Sequence, residues 1–410
     1  MDFIRGFSAI VIFLFIAYLL STDRSAINKR TTFIALGVQI SLALLILAFP
    51  PGRAALAAVA SGVASILHFG KSGVNFLFGG MLQGEGIGFV FAFQALPIII
   101  FFCSLLSILY YFGIMQTIIR ILGGAVQKVM GVSKLEATVS SANIFASMSQ
   151  STLLAKPYLR KLTRSEMFTV ITVGLASVGG DVLAGYNMMG IPMEYLLACI
   201  FMGVPSGLLM AKIFMPETET VQYNINDAFS NEDKPASFIA AAADGAKQGM
   251  TIYLAVFAML MAFISLIAMV NGFLGTVGGW VGVPTLSFEM ITGFIFAPIA
   301  WLIGVDWQDA AQVGSLIGTK VIVNEFVAYS QLAPMLGTGL LAAKSEVIAI
   351  FALCGFANIG SVAILFGVIG ELAPKRYNEV IRFGFRALLA ATLANLLNAT
   401  VANLVLTAIA

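Results

Sequence analysis

Residues 176–181, Ala-Ser-Val-Gly-Gly-Asp, and residues 357–361, Ala-Asn-Ile-Gly-Ser, interrupt two apolar segments in nearly the same way. A helix surrounded by lipid cannot leave backbone amides and carbonyls unpaired. Glycines with hydroxyl or amide side chains in mid-segment therefore indicate a helix unwound where protein or a cavity surrounds it. A matched pair of such breaks in the two halves of a membrane chain points to a binding site near the bilayer midplane.

The rest of the chain supports a membrane reading. Of its 410 residues 60% are hydrophobic and 10% charged, with a mean hydropathy of +0.98, far from the range of soluble domains. Segments able to cross about 30 Å of hydrocarbon lie near 4–20, 32–49, 88–112, 166–189, 192–214, 250–272, 346–370 and 383–408. The first run meets Asp23, Arg24, Lys29 and Arg30 without a small-residue cleavage site, so it reads as a retained span. Clusters at Arg24/Lys29/Arg30, Lys156/Arg160/Lys161/Arg164 and Lys375/Arg376/Arg382/Arg386 fall on one side of an eight-span chain. The positive-inside rule makes that side cytoplasmic and puts both termini outside. The net charge of +2 and the lack of a basic block argue against nucleic acid as a partner. Cys103, Cys199 and Cys354 sit in apolar stretches and read as buried thiols rather than metal ligands. His68, the one histidine, reads as an interfacial ring.

The expected fold is an all-α polytopic membrane protein with eight transmembrane helices, two re-entrant hairpins, two broken helices and an inverted structural repeat. Residues 1–112 are read mainly as scaffold. They comprise spans one to three, a turn at Pro50-Pro51-Gly52, an interfacial helix over 54–68 and a Gly-rich stretch through Gly86. Residues 113–248 form the first repeat and residues 249–410 the second. An odd number of spans per half gives the halves opposite orientations.

Residues 137–155 lie between Lys134 and Lys156, both assigned to the inside, with the polar run Ser147-Met148-Ser149-Gln150-Ser151-Thr152 in the middle. A hairpin that enters from the cytoplasm and turns at this run keeps both flanks on one side. In the second half, 310–323 is too short to cross and Asn324-Glu325 separates it from 326–336, so a second hairpin is expected from outside.

Ionisable groups at membrane depth cost at least about 2.5 kcal/mol, so Glu325 is a functional candidate by default. A structural pair with Lys320 is the alternative. Asn358 and Ser361, three residues apart, share a helix face and with Glu325 supply the amide, hydroxyl and carboxylate that suit the hydroxyls of a sugar. Polar interhelix contacts are the plainer reading. Asn143, Ser177 and carbonyls freed at the hairpin and the break could hold a small cation. Asp181 lies on the Ser177 face with no basic residue nearby in sequence. It either meets a donor-rich ligand or cation as a carboxylate, or serves as a neutral acid or proton carrier.

Four stretches resemble motifs of the concentrative nucleoside transporters: Asn324-Glu325-Phe326-Val327-Ala328-Tyr329, Gly355-Phe356-Ala357-Asn358, Gly174-Leu175-Ala176-Ser177 and Ala142-Asn143-Ile144-Phe145. The likeness runs over nearly the whole chain. It implies a homotrimer in the membrane, a scaffold with a moving transport domain, an elevator mechanism and drive from a cation gradient. Glu325, Asn358 and Ser361 would bind the ribose and Phe356 would line the pocket. Sodium would be held by the Asn143 side chain, the Ser177 hydroxyl and carbonyls at Ala146, Ser177 and Val178. Asparagine at position 143 favours sodium over protons.

One motif departs from the family pattern. Where relatives have Gly-Gln-Thr-Glu-Ala-Pro at the first hairpin, Ser147, Met148, Ser149 and Gln150 stand with Ser151 and Thr152, and Asp181 stands where an apolar residue is usual. Altered base selectivity follows as an expectation. A carboxylate that accepts two hydrogen bonds suits adjacent donors on a purine edge, guanosine-like or modified. No organic cofactor is expected. Proton coupling through Asp181 is the runner-up, and a channel or an intramembrane enzyme is disfavoured for want of an activated nucleophile or metal motif. A bacterial inner membrane is the expected location.

Overall fold

The computed structural model describes residues 2–82, 90–220, 235–280 and 282–409, and within them all regular structure is helical. Helix α1 (Asp2–Leu19) and α2 (Lys29–Ala43), which continues as a π turn over Leu44–Ala48, precede the long α3 (Pro50–Leu82). A short α4 (Phe91–Gln94) leads into α5 (Ile98–Tyr111) and α6 (Ile114–Met130). Next come α7 (Lys134–Ala142) with α8 (Met148–Leu153), then α9 (Arg164–Ala176) with α10 (Gly180–Met188), then α11 (Met193–Phe214). The second series is α12 (Phe238–Trp280), α13 (Phe288–Leu302), α14 (Trp307–Ile322) with α15 (Glu325–Leu332), α16 (Ala343–Leu353) with α17 (Ile359–Leu372), and α18 (Tyr377–Ile409). From α5 to α11 and from α12 to α18 the same order recurs: long helix, surface helix, hairpin, broken helix, long helix.

Local sequence explains the ends. Ser133 with Glu136 and Thr163 with Glu166 form capping boxes that start α7 and α9. Asn324 and Asn358 cap α15 and α17 by accepting from the amides of Val327 and Ser361 at 2.9 and 2.7 Å. Between α13 and α14 the chain turns by 117° at Gly304, whose φ of +119° lies where a side chain is strained. Arg5 of α1 donates to the freed carbonyls of Gly304 and Val305 at 2.7 and 3.3 Å, so the corner has its missing partners.

Burial separates two groups of helices. The best spanning window of α9–α10 is wholly buried and those of α11 and α18 are 89% and 83% buried, against 17% for α3 and 11% for α12. Irregular backbone thus sits where protein surrounds it, as hydrocarbon requires. Helices α11 and α18 pack on each other, on α9 and, from the outside, on α2 and α1 respectively; α5 packs along α12.

Among the described residues eight helices are long and apolar enough to cross a membrane, nine if the bent pair α13–α14 is one span, but they are not the eight expected. Residues 50–80 qualify, while 346–370 does not: five residues separate α16 from α17, against three between α9 and α10, which count as one span. The interfacial helix expected over 54–68 instead runs on through Gly70, Gly73 and Gly80 as one helix, since isolated glycines cost only about 1 kcal/mol each. The end of the expected Gly-rich stretch, in 83–89, lies outside the described residues. Residues 288–302, where no span is expected, form α13, which packs along α14.

Candidate functional site

Four helices end and four begin where the hairpins and breaks meet. Helix α9 stops at Ala176, and Ser177 and Gly179 are extended before α10. Helix α16 stops at Leu353, and five residues pass before α17. The first hairpin turns at residues 143–147 rather than at the polar run itself: Ser147 sits at the N-cap position and 148–153 is helix α8. A serine with extended backbone in front of residues that can continue a helix favours that outcome over a turn.

The first hairpin lies against the first break. A Cβ on Gly179 would stand 2.6 Å from the Ser147 amide nitrogen and 2.7 Å from the Ala146 carbonyl carbon, so only glycine admits this approach. Asn143 is 1% exposed; its Oδ1 accepts from the Ser151 hydroxyl at 2.6 Å while its Nδ2 has no partner. The Ser177 hydroxyl donates back to the Val173 carbonyl at 3.0 Å, and the Ser177 carbonyl receives the Phe356 amide at 3.4 Å. Hydroxyl, amide and carbonyl oxygens are the donor set of a hard monovalent cation, and the positions of Asn143, Ala146, Ser177 and Val178 around one hairpin-to-break contact suit it.

At the second break Glu325 is 3% exposed and each of its oxygens has a partner. Its Oε1 accepts from the Tyr186 hydroxyl at 3.0 Å and its Oε2 from the Asn358 amide at 2.9 Å. Tyr186 in turn packs against Phe326 and Tyr329, ring centroids 4.6 and 4.8 Å away. Asn358 thus spends its oxygen on the cap of α17 and its nitrogen on Glu325, which fixes the carboxylate at the amino ends of α15 and α17, where negative charge is favoured. Ser361 and Phe356 are buried beside them, while Ile322, Ile359 and Gly360 are exposed, so the polar group lies just beneath an accessible surface.

The structure corrects the alternative reading of Glu325. Lys320 makes no ion pair with it; its ammonium donates to Asn395 Oδ1 at 2.5 Å and to the Ala352 carbonyl at 3.1 Å. Asn395 of α18 also donates to the carbonyls of Ala176 and Cys354, at 2.6 and 3.2 Å, and so ties both breaks together. Tyr186 and Asn395 were not singled out from the sequence. A single tyrosine in an apolar helix has no distinctive spacing, but Asn395 lies three residues before Asn398 and eight before Asn403 in α18, a run of buried amides that could have marked it.

Asp181 is wholly buried and neither oxygen has a hydrogen bond of good geometry. It is in the first turn of α10 beside Ser147, and the ionisable groups it influences include Cys103 and Tyr110 of α5. It is not among the groups that bond Glu325. Of the first-hairpin residues, Ser147, Ser149 and Gln150 are half-buried, whereas Met148 is 6% exposed and packs against Gly174.

Comparison with known proteins places this geometry. Models of the Na+ dependent nucleoside transporter N-terminus and C-terminus match residues 8–81 and 195–403, and a nucleoside-recognition Gate model matches 92–193. The chain is 45% identical to Nucleoside permease NupC of Helicobacter pylori, over 96% of this chain and 95% of that one. It is 43% identical to Putative nucleoside permease NupX of Escherichia coli, over 98% and 99%. A solved structure of CNTnw in an inward-facing substrate-bound state is 45% identical and superposes with a TM-score of 0.95 over 100% of this chain and 99% of that one.

Proposed function

The chain belongs to the family of Na+-dependent nucleoside transporters and is a transporter rather than an enzyme, and on that premise we propose that it imports nucleosides in symport with sodium. The observation that carries the reading is Glu325 held between the Tyr186 hydroxyl and the Asn358 amide at the meeting point of two helix amino ends. A carboxylate and an amide fixed a hydrogen bond apart match the vicinal hydroxyls of a ribose. On binding, the sugar takes over acceptor capacity on Glu325, with Ser361 and Phe356 beside it.

Sodium sits between the first hairpin and the first break, held by Asn143, the Ser177 hydroxyl and the carbonyls of Ala146, Ser177 and Val178. Coupling follows because the ion fixes the hairpin whose residues flank the base. The base is read by Ser147, Ser149 and Gln150, with Met148 packed behind them, so selectivity differs from relatives that carry a glutamine and a glutamate there. Asp181 bears on the base through Ser147, and purine nucleosides with adjacent donors are the class it suits best.

Movement is by an elevator: the buried group of α9–α11 and α14–α18, with α1 and α2 packed on it, shifts against α3, α5 and α12. The assembly is a homotrimer in a bacterial inner membrane, in keeping with the bacterial relatives. The test is uptake into proteoliposomes with and without an inward sodium gradient, competed by nucleosides, free bases and ribose. Sodium-stimulated uptake blocked by nucleosides and spared by free bases is expected. Uptake that follows a proton gradient without sodium would favour proton coupling, and the absence of counterflow would remove the carrier reading.

A further inference from the structure

The carboxyl ends of α9 and α16 are equivalent places in the two halves, and each carries backbone carbonyls released by a break. At α16 those oxygens already face a positive charge. The Lys320 ammonium, on a side chain 1% exposed, reaches the Ala352 carbonyl at 3.1 Å and Asn395 Oδ1 at 2.5 Å. Asn395 Nδ2 closes the set by donating to Ala176 and Cys354. A cation at a helix carboxyl end is stabilised by the partial negative charge there, more so when water is excluded. No carboxylate lies within ion-pair distance of Lys320 among the described residues; Glu325 acts on it through space, and its direct partners are carbonyl and amide oxygens, the ligand type that suits an alkali cation.

We propose that Lys320 fills a latent cation site in the second half, its ammonium serving as a covalently attached counterpart of the sodium bound in the first half, and that shortening this side chain converts the position into a site for a monovalent cation. The inference rests on the sodium reading only for the analogy between halves. With the ammonium removed, the Ala352 carbonyl and the Asn395 oxygen would lose their donor in a space about as large as a lysine side chain, enough for an ion with a water. In the wild-type protein the amine is attached to the chain and cannot dissociate from it, so the second break stays assembled when sodium leaves and only the first responds to the ion.

The experiment compares wild type with Lys320→Ala, and with Lys320→Ala/Asn395→Asp, in which a carboxylate supplies an anionic ligand at the emptied position. Thermal stability in detergent and nucleoside uptake in proteoliposomes are followed against sodium, potassium and choline. The expected result is that both variants are less stable than wild type in choline and recover with sodium or potassium. Uptake should depend on sodium more steeply than in wild type, by a further ion. Wild-type cation dependence in a folded variant overturns the proposal, and so does instability of both variants that no cation relieves, since Lys320 would then be a packing and hydrogen-bonding residue alone. Loss of sodium dependence in wild type would overturn the first-half sodium site, whereas only the difference between variant and wild type bears on Lys320.

Discussion

At the α9–α10 break and its hairpin Asn143 Nδ2, both Asp181 oxygens and the Thr172 hydroxyl lack a hydrogen bond of good geometry, whereas at the α16–α17 break and its hairpin Asn324 Nδ2 and the Thr319 hydroxyl lack one but both charged groups, Lys320 and Glu325, reach partners. The two breaks use the same backbone device and are completed by different means. Asparagine side chains cap α15 and α17, while Ser147 and Gly179, at the matching positions of α8 and α10, make no side-chain cap. A buried polar atom without a partner costs roughly 1–3 kcal/mol. The first break leaves its buried carboxylate unbonded and the second bonds both of its charged groups, the difference on which the proposed division into an ion-dependent half and a sugar-binding half rests.

This contrast can be broken or sharpened by substitution. Glu325→Ala should have the largest effect. Two bonds to a buried carboxylate, each about 1.5–3 kcal/mol, disappear together with those to substrate, so nucleoside affinity should fall on the order of a hundredfold or more. Equilibrium binding of labelled nucleoside to purified protein measures it, and near-normal affinity would remove Glu325 from the site. Asn395→Ala comes next. It orphans the carbonyls of Ala176 and Cys354 and one acceptor of Lys320, so a loss of about 2–4 kcal/mol in stability is expected, read as a lower melting temperature with or without sodium. Unchanged stability would show that the two breaks are not tied through α18.

Asn143→Ala should act on the ion alone. The sodium concentration for half-maximal uptake should rise roughly tenfold, with little change in nucleoside affinity at saturating sodium, because one ligand of several is lost. Equal shifts for sodium and nucleoside would place Asn143 in the sugar site instead. Asp181→Asn should have the smallest effect, a few-fold change in the ranking of competing bases with uptake retained. An unchanged ranking would leave Asp181 a structural partner of Ser147.

Much of this was legible in the chain because the bilayer makes polar residues in apolar segments conspicuous. Glu325, Asn358 and both breaks could be located by that rule, the first hairpin by its flanking lysines and the second by a segment too short to cross followed by Asn324-Glu325. The hairpin turn was misplaced by several residues because Ser147-Met148-Ser149-Gln150 reads equally well as a turn or as a capped helix start. A pair with Lys320, five residues earlier, was the alternative reading of Glu325; a new helix capped by Asn324 begins between them, and the direct partners of Lys320 are Asn395 and the Ala352 carbonyl instead.

What the sequence determined is the all-helical membrane architecture, the repeated order of elements and the identity of the polar residues at the two breaks. Those follow from hydrophobicity, helix capping and the prohibition on unpaired backbone in lipid, all of which act locally along the chain. What only the tertiary structure decided is which groups meet. Asn395 lies 219 residues from Ala176 and Tyr186 lies 139 from Glu325, and these contacts exist because α11 and α18 bring the two halves together at their broken helices. Local pattern carries no record of such distant pairings.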